Sequence, residues 1–146
     1  MALKYKADTA RHMADAVGKF FLAIHLAPQG NYLLTTTGRK SGIQRSTPVM
    51  LIADESHRWL VAPFGQVGWV YNVRASGKMT LTRNGTPETL AVREVSAEQA
   101  APVLRRYIEQ VAIMRPYFDV KVDSSDEAFV AEAPRHPVFE LLPIGN

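Results

Sequence analysis

The chain has 146 residues, 47% hydrophobic and 21% charged, with a formal charge of +3 from 17 Lys+Arg against 14 Asp+Glu. That is enough chain for one domain with a buried core and too little positive charge for a general nucleic-acid binder. The lack of cysteine excludes disulfides, thiolate catalysis and cysteine-ligated zinc. No apolar run approaches the roughly 20 residues of a membrane span. The N-terminus has no basic region, apolar stretch and cleavage site of a secretory signal, so a single cytoplasmic domain over residues 1–146 is the expectation.

Residues 5–26 carry a helical pattern, with Met13, Val17, Phe20, Phe21 and Ile24 at spacings of three and four. Pro28 and Gly30 end it. Its cations, Lys4, Lys6, Arg11 and Lys19, are diluted by Asp8 and Asp15. The helix therefore either caps a barrel or substrate channel, the preferred reading, or makes peripheral contact with a membrane surface. From Asn31 the period shifts towards two. Residues 31–37 and 44–53 read as strands of a hairpin turning at Gly38–Gly42, and 57–63 as a third strand. Residues 64–76 hold two glycines and read as a loop with a helical turn.

Asn84-Gly85, between alternating runs over 78–95, is a favoured type I′ hairpin pair. Ser96 and Gln99 fit a capping box, with Ala101, Leu104, Ile108 and Val111 following at helical spacing. Pro102 conflicts with a helix starting at that cap, so the main helix is expected to start nearer the proline. A short helix over 123–133 and a last strand over 136–144 complete the chain. Five or six strands without βαβ alternation predict a mainly β, α+β fold: an antiparallel barrel-like sheet with packed helices. Its parts are an N-terminal helix to residue 28, a barrel core over 31–95, and a helix with closing strand over 96–146.

Familiar catalytic constellations are missing. His12, His25, His57 and His136 are scattered without metal-ligand spacing, and no nucleophile elbow, HExxH or Walker loop is present. This favours a bound cofactor carrying the chemistry. Two segments stand out. In Gly38-Arg39-Lys40-Ser41-Gly42 the glycines permit positive φ and close approach, and the hairpin returns Arg45 towards Arg39 and Lys40. Such a turn is either solvated or holds a phosphate or carboxylate. The second, FGQVGWVYNVRASGK, is on its own consistent with a core-packing loop that buries Trp69 and ties Asn72 to backbone.

Taken in order, LLTTTGRKSGIQRSTPV, a strand ending VAPFG, and GWVYNVRASGKMTL resemble the deazaflavin-dependent nitroreductase family, split β-barrel oxidoreductases that use coenzyme F420. The resemblance runs from about Tyr32 to Arg93 and weakens towards PVFELLP. It implies that Arg39, Lys40 and Arg45 grip the anionic tail of the coenzyme, with the Ser41 hydroxyl and Gly42 amide as neutral donors. Pro48, Ala62 and Pro63 would line the ring edge, and Gly68, Trp69 and Asn72 the wall around phosphate and ribityl chain. It also implies hydride transfer to a small conjugated acceptor. On the substrate side, MRPYFDVKV offers Met114, Arg115, Tyr117 and Phe118, with Met50 on the barrel wall and Tyr107 as a further candidate. Fewer tyrosines stand here than in the nitroreductases, so a quinone or enone is as much expected as a nitroaromatic. A flavin mononucleotide enzyme of the same fold and a non-catalytic F420 carrier are the alternatives; monomer and homodimer both stay open.

Overall fold

The computed structural model describes residues 32–144; the helix read over 5–26, with its capping or membrane role, lies outside them. Seven strands form one antiparallel sheet: β1 (Tyr32–Thr37), β2 (Gln44–Val49), β3 (Leu51–Ala53), β4 (Arg58–Val61), β5 (Lys78–Arg83), β6 (Thr86–Glu94) and β7 (Val138–Pro143). Their order is β2-β1-β5-β6-β7-β4-β3, so β2 and β3 occupy opposite edges. Yet only Met50 separates them in sequence. Two Cα–Cα steps span at most about 7.6 Å, so the two edges must meet there and the sheet must curl into a barrel. This is the split-barrel fold.

The residues 44–53, expected as one strand, are thus two strands that switch edges at Met50. Alternation sets the two faces of the sheet. Leu34, Leu60, Met79, Leu81, Leu90, Phe139 and Leu141 point into the barrel with Val49, Val70 and Val73. Ile52, Val61 and Val138 face outward, under the helices. Asn84 (φ 52°) and Gly85 (φ 78°) both take the left-handed conformations of the predicted I′ turn.

Helix α1 (Gly68–Ser76) stands where a loop was expected, and ends at Gly77 with φ 72°. Its start carries no side-chain cap, and glycine with β-branched residues gives it low intrinsic propensity. Burial of Val70 and Val73 against the barrel supplies what propensity does not.

Helix α2 (Ala97–Gln110) begins at the Ser96 capping box, where Gln99 N–H donates to Ser96 Oγ at 3.2 Å. Contrary to the expected later start, it runs unbroken through Pro102. The proline is exposed, while Val103, Leu104, Tyr107 and Ile108 are buried against the outer face of the sheet; their burial outweighs one lost backbone bond. A 3-10 turn (Ala112–Tyr117) and helix α3 (Asp126–Glu132) complete this layer. Among the described residues, no helix is long and apolar enough to cross a membrane.

The cap and the proline pull in opposite directions. Ser96→Ala is expected to destabilise the protein by about 1 kcal/mol. Pro102→Ala is expected to stabilise it by about 1–3 kcal/mol, restoring the bond to the Glu98 carbonyl. Urea unfolding of both variants measures the two effects.

Candidate functional site

The turn joining β1 to β2 is built by its glycines. Gly38 N–H donates to Ile43 O at 2.8 Å and Gly42 N–H to Gly38 O at 2.9 Å. Gly42 has φ +71° and needs glycine, while a Cβ on Gly38 would come within 2.4 Å of Ser41 Oγ and displace that hydroxyl. The Gly42 amide is therefore spent inside the turn. Ser41 Oγ accepts from Ile43 N–H at 3.1 Å, which leaves its hydroxyl hydrogen to donate outward.

Asn72 ties this turn to α1. Its Oδ1 accepts from both Arg39 N–H at 3.2 Å and Arg39 Nη1 at 3.1 Å. Its Nδ2 donates to Thr36 Oγ1 at 3.1 Å. Asn72 and Thr36 are each 5% exposed, so these bonds satisfy groups that water does not reach. Arg39 also lies over the ring of Tyr71 at 5.1 Å, with Arg74 over the same ring at 6.0 Å. Thr36 pairs with Arg45 across the hairpin, which places the third cation beside the turn.

Carboxylates neutralise several arginines elsewhere on the surface. Arg58 pairs with Glu88, Arg74 with Glu94, Arg93 with Glu140, Arg105 with Asp126, and Arg135 with Asp119 and Glu132. Among the described residues, Arg39, Lys40 and Arg45 have no carboxylate partner. Three such cations on a glycine-shaped turn could hold an anionic ligand.

The other candidates fall into two groups. Ala62 is buried within the barrel cluster, and Pro63 follows it into a tight turn closed by Gly65 N–H to Ala62 O at 3.2 Å. Gly68 opens α1, exposed; Trp69 is half-buried against the barrel cluster, 5.9 Å from Phe139. Pro48 is half-buried on β2. On the outer face, Met50 packs on the cluster that contains Tyr107, Met114, Tyr117 and Phe118. Tyr117 meets Phe64 edge-on at 5.2 Å, so the C-terminal segment touches the VAPFG turn.

Two of these side chains are engaged elsewhere. Arg115 turns back on α2, donating through Nε to the Ile108 carbonyl at 2.7 Å, and so caps the end of that helix. Tyr107 is 1% exposed, deep in the helical layer. Among the described residues its hydroxyl has no hydrogen-bond partner, and burial pushes the phenol well up. Sequence reasoning missed Thr36, Tyr71 and Phe64. The first lay hidden in a run of threonines, and the other two face their partners only once α1 and the VAPFG turn have formed.

A family model described as F420H(2)-dependent quinone reductase matches residues 5–131. The chain belongs to that family. This reductase therefore depends on coenzyme F420, and the flavin mononucleotide and carrier alternatives give way. The resemblance carried by its two motifs holds at the level of coenzyme and fold.

Solved structures agree on the fold. An F420-H2 dependent reductase, FDR-A, is 22% identical with a TM-score of 0.54, covering 77% of this chain and 94% of its own. A protein solved as a domain-swapped dimer is 21% identical, TM-score 0.56, covering 92% and 97%. The haem storage protein HutZ of Vibrio cholerae is 8% identical, TM-score 0.55, covering 88% and 90%. No curated protein matches the chain.

Asn72→Ala removes one buried anchor from three donors and acceptors at once. It is expected to cost about 1–3 kcal/mol of stability and to speed hydrogen exchange at the Arg39 amide. Exchange measured by NMR on the folded variant separates loosening of the turn from general destabilisation.

Proposed function

We propose that this reductase uses reduced coenzyme F420 to reduce quinones, with enones and nitroaromatics as further flat, conjugated acceptors. The observation that carries the reading is a group of three cations, gathered on one glycine-flanked turn, that have no carboxylate partner among the described residues. The residues fit the coenzyme: its tail is polyanionic, and Arg39, anchored on Asn72, stands with Lys40 and Arg45 as donors of matching charge. Ser41 adds a neutral hydroxyl. Pro48, Ala62 and Pro63 are assigned to the ring edge, and Gly68, Trp69 and Asn72 to the wall, with Asn72 acting through Arg39.

When bound, the reduced coenzyme supplies a hydride. The chain supplies orientation and a surface that excludes water. An outer groove of about 770 Å³ is lined by Ile108, Ala112, Pro116, Phe118, Val120 and Val122, with Arg115, Lys121, Asp119 and Asp123 at charged positions. That volume lies within the range of small-molecule sites, and its apolar part suits a conjugated ring. Burial pushes the Tyr117 phenol up, so its hydroxyl stays protonated at neutral pH and offers a hydrogen bond to a carbonyl acceptor.

Lys40→Ala is the cleanest test of the tail site, because Arg39 also anchors the turn. It is expected to weaken coenzyme binding by about 1.5–3 kcal/mol, with wild-type affinity falling as salt rises. Unchanged calorimetric affinity would remove the tail from this turn. For the acceptor, Tyr117→Ala is expected to slow quinone turnover while leaving coenzyme affinity near the wild-type value. Stopped-flow oxidation of the reduced coenzyme, run with quinones, enones and nitroaromatics, ranks the acceptors. A panel in which no quinone is reduced would overturn the acceptor class.

A further inference from the structure

Away from the coenzyme turn, a buried polar cluster is built on His136 and Glu132, 4% and 2% exposed. Glu132 ends α3, and His136 follows the 3-10 turn Ala133–Arg135. His136 Nδ1 lies 3.0 Å from Pro63 O, and Nε2 lies 2.7 Å from Glu132 Oε2. A carbonyl oxygen can only accept, so Nδ1 carries the hydrogen of the first bond. Glu132 is itself fixed, accepting from Asp119 N–H at 3.3 Å and from Arg135 at 2.7 Å. The imidazole is thus held at both nitrogens, and a ring flip would break both bonds.

The same ring supports Phe118, stacked on it with centroids 3.8 Å apart and planes 18° apart. The backbone around His136 completes the frame. Ala62 N–H donates to Pro137 O at 2.9 Å, and Arg135 O stands 3.1 Å from where a Gly65 side chain would begin. Apolar side chains of similar volume often replace a buried ion pair without loss of stability. Stability alone therefore does not account for a buried His–Glu pair at this position.

We propose that His136 is a positioning residue. Its Nδ1–H sets the Pro63 carbonyl and with it the Ala62–Pro63 edge of the coenzyme site, while its ring face sets Phe118 on the acceptor side. Glu132 holds the ring in that orientation. One side chain thus aligns the two halves of the reaction. The assignment rests on the coenzyme-site reading given above.

Two isosteric substitutions divide the roles. In His136→Asn the amide nitrogen takes the place of Nδ1 and keeps the Pro63 bond. In His136→Gln the amide reaches Glu132 and the Pro63 bond is lost. Both remove the ring from Phe118. Coenzyme Kd, read by fluorescence titration, is expected to rise about ten-fold in His136→Gln and to stay near wild type in His136→Asn. The acceptor KM is expected to rise in both.

Equal coenzyme affinity in the two variants, weakened or not, overturns the proposal and leaves His136 a packing residue. If His136→Gln does not fold, Glu132→Leu takes its place, because it removes the partner of Nε2 altogether: a raised coenzyme Kd supports the proposal and an unchanged one overturns it. Wild-type protein that fails to bind the coenzyme overturns the site reading itself, and this proposal with it.

Discussion

Barrel closure at Met50 is the constraint on which the rest of the molecule depends. Because β2 and β3 lie at opposite edges of one sheet and are joined by a single residue, the sheet has no flat alternative. Curling encloses Leu34, Leu60, Leu81 and Phe139 on one side and turns Ile52, Val61 and Val138 outward on the other. The outward set needs a cover, and α2 with its capped start provides it. The same closure carries Met50 to the helical cluster that holds Tyr117 and Phe118. Met50 and the segment that holds Tyr117 and Phe118 thus become neighbours as a result of sheet geometry.

Several surface arginines are matched to carboxylates, as Arg58 is to Glu88 through two bonds of 3.0 and 3.1 Å. That pairing holds the Glu88 carboxyl below its usual range. Arg39 instead spends its backbone and one guanidinium nitrogen on a neutral amide, and its charge stays available. A neutral anchor fixes position without cancelling field. A carboxylate in place of Asn72 would fix the turn as well but cancel the charge of Arg39.

Much of this was legible in the sequence where local chemistry and tertiary outcome agree. Asn84-Gly85 admits the positive φ of its turn, Ser96 and Gln99 satisfy each other, and β1 and β5 alternate cleanly. Where the two conflict, reading failed. Pro102 argued against a helix that burial of Leu104 and Ile108 sustains, and α1, read as no more than a helical turn in a loop, has a glycine stop but no side-chain cap at its start and is formed by barrel contacts. The strand break at Met50 could not be seen, since nothing in a run of extended residues says which edge each half will join. At the site, the cations and glycines were visible because their side chains act directly. The links between them were not: Thr36 with Asn72, Tyr71 under Arg39, and Phe64 against Tyr117 are all contacts between separate elements.

The bond from Arg39 to Asn72 reaches across 33 positions of chain, and it makes two distant segments mechanically one. The intervening segment forms β2, β3 and β4, whose sheet pairing does not pass through this bond. A substitution at residue 72 leaves Thr36 and Arg39 to find other partners, and the reverse holds equally. The two motifs are therefore one structural unit written in two places.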